Sequence, residues 1–474
     1  MTSQPAFSNR PGRLARTHRP ASPARVWRGS AATVGAALGS LLLAVIATAT
    51  ETTQASDGAQ VASHNDVVYL SPARQGWEGL PLGNGRLGAQ AWHPDGLMFQ
   101  LNTPLSGVYG GALCRVRLRT TPGMLTGLKD YRQRLSLGDA TLHTDMTTDS
   151  GRLSARCWIP AGADALVIES EDDRTGAVAR ELEIQTWRTS AVTTGGQGEI
   201  MVSDRLKLER EPDYRFAVAC SVDGAAATAE RSDAEAPCLR IPAGRFTAWV
   251  VVAACRDDKT DVVAAARQKL AALRQQGLAA VRQSHVTWWS QFWDKSFLQL
   301  SSKDGVADYV ANLWYLHVYA MGAGSRGEVP PKFNGGLWTE DRDQREWGPA
   351  YWHWNTQETY WPLYAANHLE LLAPYLDMYE QMLPAVKKWT KATWETDGAQ
   401  YQETIPFNGA MGVWEKRRGV HPRLPVPKNV AHTNLILSSS AEIAMQFWWV
   451  YLYTGDEEFL RRRAYPLMKE IAAF

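Results

Sequence analysis

The stretch "DVVAAARQKLAALRQQGLAAVRQSHVTWWSQFWDKS", residues 261–296, decides the fold, because the hydrophobic period changes within it. Apolar residues recur here every three to four positions in an Ala-, Leu- and Gln-rich run, which predicts helix. Before it, from about residue 60 to 258, short runs such as "LMFQLN", "RVRLR", "LSARCWI", "ELEIQTW" and "FTAWVVVAAC" alternate between Gly, Pro, Asp and Asn. Period two over many segments predicts antiparallel strands, and two packed sheets bury one face of each. After it, helical spacing continues near 305–322, 355–370, 374–394, 434–454 and 456–474, with long aromatic loops at 323–352 and 396–432. The chain therefore reads as multidomain α+β: an antiparallel β-sandwich at 60–260, a helical linker at 261–300 and a helical domain over 301–474.

With 45% apolar and 21% charged residues among 474, the chain can bury large cores. Residues 1–55 hold six arginines against Glu51, about +5, which leaves about −4 for the rest of a chain whose total is +1. No basic surplus remains to grip a phosphate backbone, so a nucleic-acid partner is not expected. The leader passes from an Arg-dotted stretch through "AATVGAALGSLLLAVIATAT" (31–50) to small residues near Ala55, the layout of a signal peptide at 1–55. That predicts a secreted or periplasmic protein. Left uncleaved, the same apolar run of about twenty residues is long enough for a membrane anchor, and a buried helix is the plainer alternative. At the other end, "AYPLMKEIAAF" (464–474) stops in mid-amphipathic helix, so the helical domain is expected to continue beyond it. Cys114, Cys157, Cys220, Cys238 and Cys255 form no C-x-x-C and have no His at ligand spacing. Neither a metal nor a cofactor is predicted; one or two disulfides and buried thiols both fit.

"GNGRLG" (83–88) has the spelling of a dinucleotide fingerprint but not its setting, since an alternating run follows it rather than a helix. Glycines at a tight turn beside a strand account for it better. The stronger compositional signal is tryptophan: 14 of 20 lie between Trp288 and Trp449. Trp288, Trp289, Trp293, Trp314, Trp389, Trp448 and Trp449 sit in helical runs and read as core. Trp338, Trp347, Trp352, Trp354 and Trp414 lie in loops among polar residues. A pyranose suits such surroundings, because its C–H face packs on a flat ring and its hydroxyl edge needs oriented donors and acceptors. "KFNGGLWTEDRDQREWG" (332–348) and "YWHWNTQETYW" (351–361) supply both, with Trp338, Trp352 and Trp354 for stacking and Asn334, Asp341 and His353 for the hydroxyls. A peptide or aromatic ligand fits this chemistry as well.

Glycosidic hydrolysis ordinarily needs two carboxyls, one to protonate the leaving oxygen and one to activate water or attack. Glu340, Asp341, Asp343, Glu346, Glu358, Glu403 and Glu415 are the loop candidates, most of them readable as solvated charges or partners of nearby arginines. Glu358 lies one helical turn beyond Asn355, so both can face one pocket. Glu403, in "YQETIPFNG", has apolar and aromatic neighbours able to raise its pKa. Capping or buried hydrogen bonding is the plain alternative for each. No G-x-S-x-G is present; "SSS" at 438–440 reads as small packing residues in a helix, and His421 and His432 as loop histidines.

"LPLGNGRLGAQAW" with "FQLN", then "WNTQETYWPLYAANHLELLAPYLDMYEQM", then "YLYTGDEEFLRRRAYPLMKEIAAF" together resemble glycoside hydrolase family 95, which acts on terminal α-L-fucose or α-L-galactose. The resemblance implies a β-sandwich, a helical linker and an (α/α)6 barrel, here its N-terminal portion, with inversion at the anomeric carbon. In the family an N-x-N-x-E-x-N-Y-W segment helps an aspartate polarise the attacking water. Asn355 matches the second asparagine and Tyr360 and Trp361 the closing pair, whereas His353, Gln357 and Thr359 replace the first Asn, the Glu and the last Asn. The family's acid and aspartate would fall beyond Phe474. "PPKFNGGLWTEDRDQREWG", "YWHWNTQETYWP" and "YQETIPFNG" are closer to secreted bacterial proteins that begin with domain of unknown function 5703. The expectation is an exported glycoside hydrolase of oligo- or polysaccharide termini, with Asn355, Glu358 and Glu403 as catalytic candidates. A non-catalytic carbohydrate-binding protein and a polysaccharide lyase are the alternatives.

Overall fold

The computed structural model describes residues 57–474 apart from 109–110, 177, 189–190, 197, 207–212, 232–235, 258, 340–341, 343–346, 348–349, 410–432 and 434–435. The leader, Glu340, Asp341, Asp343, Glu346, Trp414, Glu415, His421 and His432 therefore lie outside the described residues.

The alternating runs become two antiparallel sheets. Nine strands pair in the order Val67–Tyr69, Leu128–Ser136, Thr141–Thr148, Gly151–Trp158, Ala165–Asp172, Phe246–Cys255, Tyr214–Asp223, Glu199–Leu206 and Val192–Gly196. Seven pair in the order Thr228–Arg231, Pro237–Ile241, Ala179–Gln185, Cys114–Thr121, Leu97–Asn102, Gly88–Trp92 and Leu80–Gly83. Cys114–Thr121 shows why: Cys114, Val116, Leu118 and Thr120 are buried while Arg115, Arg117 and Arg119 stay half-exposed. Inner-face residues of the two sheets, such as Val116, Leu182, Ile168, Val218 and Val250, share one core. Short helices α1 (Asp57–Ser63) and α2 (Pro104–Val108) flank these strands. The central strands Tyr214–Asp223 and Phe246–Cys255 are buried along most of their length because both their faces are covered. Outside them lies α3 (Val262–Gln276), whose Val262, Ala266, Leu270 and Leu273 pack on Ala217, Ala219, Trp249, Val251 and Ala253.

The opening stretch forms two helices rather than one. Asp261 accepts from the amides of Val263 and Ala264 to start α3, and Gly277, at φ +84°, separates it from α4 (Leu278–Trp293). Next come α5 (Val306–Gly324), α6 (His353–Ala365), α7 (Ala373–Trp394), α8 (Ser438–Thr454), α9 (Glu457–Phe459), a π-helical turn at Leu460–Ala464 and α10 (Tyr465–Ala472). The helix expected over 355–370 stops at Ala365. Pro362 removes one amide donor, Asn367 turns left-handed at φ +57°, and a single 3-10 turn follows at Leu369–Leu372.

Strands and helices meet in a continuous core, pinned by indole and phenol donors to strand and turn carbonyls. Trp293 Nε1 donates to Leu137 O (2.8 Å), Tyr319 Oη to Pro81 O (2.8 Å) and Trp338 Nε1 to Leu82 O (2.9 Å). Trp338 thus corrects the expectation of a stacking ring: it is 8% exposed, inside the core, against the sandwich. "GNGRLG" is a hairpin turn between Leu80–Gly83 and Gly88–Trp92. Asn84 organises it, donating to Pro160 O and Ala163 O while accepting from the amides of Arg86 and Leu87. Gly85 sits at φ +78° with its amide donating to Ala323 O, and a Cβ there would lie 2.4 Å from the Arg326 nitrogen. All five cysteines are unpaired and four are fully buried.

Candidate active site

The helical region gathers its buried polar groups where α6, α7, α8 and the short antiparallel pair of Tyr351–Trp352 with Thr404–Ile405 come together. Trp352 begins α6 without a side-chain cap, so the first-turn amides need other acceptors. Glu403 supplies them: its carbonyl accepts from the His353 amide (2.7 Å) and its Oε1 from the Trp354 amide (2.9 Å). Its Oε2 accepts from Ser439 Oγ (3.1 Å) on α8. Burial raises the Glu403 pKa above the usual carboxylate range and the charge of Glu442 adds to this, while the Trp354 and Ser439 hydrogen bonds pull it down.

Glu442, one turn after Ser439 on α8, is held quite differently. Its Oε2 accepts from His353 Nε2 (3.2 Å) and Gln357 Nε2 (2.6 Å), and its side chain is 28% exposed. Its Oε1 has no hydrogen bond among the described residues. His353 is fully buried; burial lowers its pKa to about 4 against the opposing pull of Glu442, so at neutral pH the ring carries one proton. On its other side His353 Nδ1 meets Tyr379 Oη at 3.3 Å. Gln357 Oε1 accepts from Gln446 Nε2 (2.9 Å), which also donates to Tyr375 Oη (2.8 Å). Two carboxyls thus share one site: Glu403 pushed toward its protonated form, and Glu442 an acceptor for two donors. Such a pair can give one proton and take another.

Of the sequence candidates, the structure brings His353 and Glu403 together, with Trp354 contributing its amide. Asn355 is the next residue, half-buried, its side chain without a hydrogen bond among the described residues. Glu358 is exposed and points away from this cluster's buried face, which α6 builds from His353, Thr356, Gln357 and Tyr360. The loop tryptophans do not line one wall. Trp352 meets Trp347 edge-on (5.3 Å between centroids), whereas Trp354, 49% exposed, meets Trp361 (5.9 Å), which meets Trp449 (6.4 Å). Asn334 is half-buried in the tight loop closed by the Lys332–Gly336 bridge. Two cavities among the described residues lie elsewhere: about 540 Å³ over Met445, Trp448 and Met468, and about 440 Å³ among Arg86, Asp164, Tyr214, Lys269 and Glu328.

Glu442, Gln446 and the buried Ser439 and Ser440 escape the sequence reading, which takes "SSS" for packing residues. Ser439 bonds Glu403, and Ser440 Oγ accepts from the Tyr401 amide (2.7 Å). The available signal was spacing: positions 439, 442 and 446 put polar groups on one face of the otherwise apolar "SSSAEIAMQFWW". Among the described residues, no three His, Cys, Asp or Glu side chains group to hold a metal ion.

Residues 277–474 match the Glycosyl hydrolase family 95 catalytic domain, and residues 68–216 match domain of unknown function 5703. Kojibiose hydrolase of Flavobacterium johnsoniae is 21% identical over 199 residues, 42% of this chain and 26% of that protein. A solved structure from the human microbiome, assigned as a kojibiose phosphorylase, aligns at a TM-score of 0.59 and 13% identity, over 86% of this chain and 58% of that one. This chain therefore spans about a quarter of the curated relative and over half of the solved one. What is shared is the fold, an antiparallel β domain followed by helices of the (α/α)6 type.

Proposed function

We propose that this protein, whose residues 277–474 match a family 95 glycosyl hydrolase catalytic domain, hydrolyses an O-glycosidic bond at the end of an oligo- or polysaccharide. One observation carries the reading: Glu403 and Glu442 meet at the junction of α6 and α8 in environments that separate their roles. Glu403, whose carboxyl is pushed toward the neutral form, protonates the glycosidic oxygen as the C–O bond to the anomeric carbon breaks. Water attacks that carbon from the opposite face and gives its proton to Glu442, so the pair ends with its proton moved from one carboxyl to the other and configuration inverted. Exchange with solvent resets it. Asn355, one residue past the amide that holds Glu403, orients the water or a substrate hydroxyl. Of Trp352 and Trp354, the exposed Trp354 is the ring available to stack on a sugar face. The Arg-led, apolar leader supports export, with activity in the periplasm or outside the cell.

This assignment differs from what the family resemblance implies, an acid and an aspartate past residue 474. Single variants separate the two. In the full-length protein, against a panel holding kojibiose, α-L-fucosides and α-L-galactosides, Glu403→Gln and Glu442→Gln should each lower kcat by about 10²–10⁴-fold with KM little changed. Unchanged turnover in both would make the pair structural. A second reading, a carbohydrate-binding protein without catalysis, draws on the fact that both Glu403 oxygens are already engaged. Glycan binding with no turnover of any glycoside would favour it.

A further inference from the structure

The groups around Glu442 form a hydrogen-bond circuit of two arms that converge on its carboxylate, and the direction of one arm is fixed by its far member. An amide nitrogen can only donate, so Gln446 Nε2 spends its two hydrogens on Gln357 Oε1 (2.9 Å) and Tyr375 Oη (2.8 Å). Gln357, accepting on oxygen, donates its own nitrogen to Glu442 Oε2 (2.6 Å). That oxygen also faces His353 Nε2 (3.2 Å), and a carboxylate only accepts, so the imidazole proton sits on Nε2. The bare Nδ1 then accepts from Tyr379 Oη (3.3 Å), whose ring lies edge to face with that of Tyr375 at 5.0 Å. The two arms, from Gln446 through Gln357 and from Tyr379 through His353, end on the same carboxylate oxygen. Gln357, Gln446, Tyr375, Tyr379 and His353 are all fully buried or nearly so, so water does not relax the pattern.

We propose that this one-way circuit holds His353 as its neutral Nε2–H tautomer and Glu442 as an unprotonated acceptor with Oε1 left for water, which makes Tyr379 and His353 positioning residues for Glu442. Among the described residues, the groups facing His353 are Glu442 from α8, Tyr379 from α7 and the Glu403 backbone just before Thr404–Ile405. Glu403 is a further carboxyl there, its charge acting with that of Glu442 and on Tyr379. Run in reverse, with both glutamine amides flipped, Glu442 Oε2 would have to donate to Gln357 Oε1 and to a bare His353 Nε2 at once, which one carboxyl proton cannot do. Only the forward direction satisfies both contacts, and the histidine tautomer reports it.

The test uses the full-length protein with 15N-labelled histidine, the His353 ring being assigned by loss of its signals in His353→Asn. At neutral pH the circuit predicts a protonated Nε2 and a bare Nδ1. Tyr379→Phe, which keeps the ring and removes only the hydroxyl, should leave the proton on Nε2, where Glu442 holds it, and move the Nδ1 resonance downfield as the bare nitrogen loses its donor. Gln357→Leu, on the other arm, should leave both nitrogens as they are. A ring found as Nδ1–H or doubly protonated in the unsubstituted protein would overturn the proposal, as would an Nδ1 resonance that Tyr379→Phe does not move in a folded variant. The positioning role, which rests on the hydrolase reading, adds that Tyr379→Phe lowers kcat about ten- to hundredfold with KM unchanged, the cost of misplacing a reacting group. An unchanged kcat beside the predicted Nδ1 shift would remove the positioning role and leave the circuit standing. The tautomer is read without turnover, so a protein that hydrolyses nothing yet shows the predicted shift sinks the hydrolase reading and keeps the circuit.

Discussion

At the scale of the residue, type alone points two ways and only surroundings decide. Trp338 has the same polar loop neighbours in sequence as Trp352, yet its indole donates to Leu82 O within the core, while Trp352 stays half-buried beside Trp347. We predict that Trp338→Ala lowers stability by about 3–5 kcal/mol in denaturant titration and leaves the glycan affinity of the folded fraction unchanged. Glu403 was legible because its apolar neighbours are adjacent in sequence. Glu442 was not: its donor His353 lies 89 residues away along the chain, and a lone acid in an apolar helix gives no sign of what it faces. His353 was legible as a site residue through its place in the "YWHWNTQETYW" run, but not as a buried ring between a phenol and a carboxylate.

At the scale of the element, period carried most of the information. Alternation located strands such as Cys114–Thr121, in which one face is buried, and the switch at 261–296 located α3 and α4. Boundaries were harder wherever the stop signal is a conformation rather than a residue type. Asn367 ends the α6 segment by turning left-handed, a stop that Asn signals only weakly in "YAANHLELL" beside the apolar residues that continue the helical spacing. "GNGRLG" shows the opposite case, since its glycines are explained by geometry at the turn itself. Gly85→Ala should destabilise the protein by at least about 1 kcal/mol, seen as a lower denaturation midpoint, because it adds a side chain at positive φ against the Arg326 backbone. A Gly85→Ala variant as stable as the parent would show that the α5 end can move away from the turn.

At the scale of the whole molecule, one core links sandwich and helices, so acid should act on both together. Burial lowers the pKa of His93, His143 and His353 to about 4 and of His285 to about 3, each group below the ordinary value near 6.5 of an unfolded chain. The unfolded state then binds more protons, so stability is full above about pH 6.5 and falls as pH drops toward 4. Asp172 extends the loss to lower pH. Burial alone would raise its pKa, but Arg174 and Arg180 bring it below the usual range, so its contribution disappears as pH falls through that lowered value. The urea midpoint should therefore decline steadily on acidification below pH 6.5; a midpoint flat to pH 4.5 would contradict this. The central claim is that Glu403 and Glu442 face the substrate. A crystal structure of the full-length protein with a bound saccharide tests it most directly. The account predicts a sugar oxygen or a bridging water within hydrogen-bonding distance of Glu442 Oε1, and a saccharide seated instead among Arg86, Tyr214 and Lys269, with the Glu442 site empty, would contradict it.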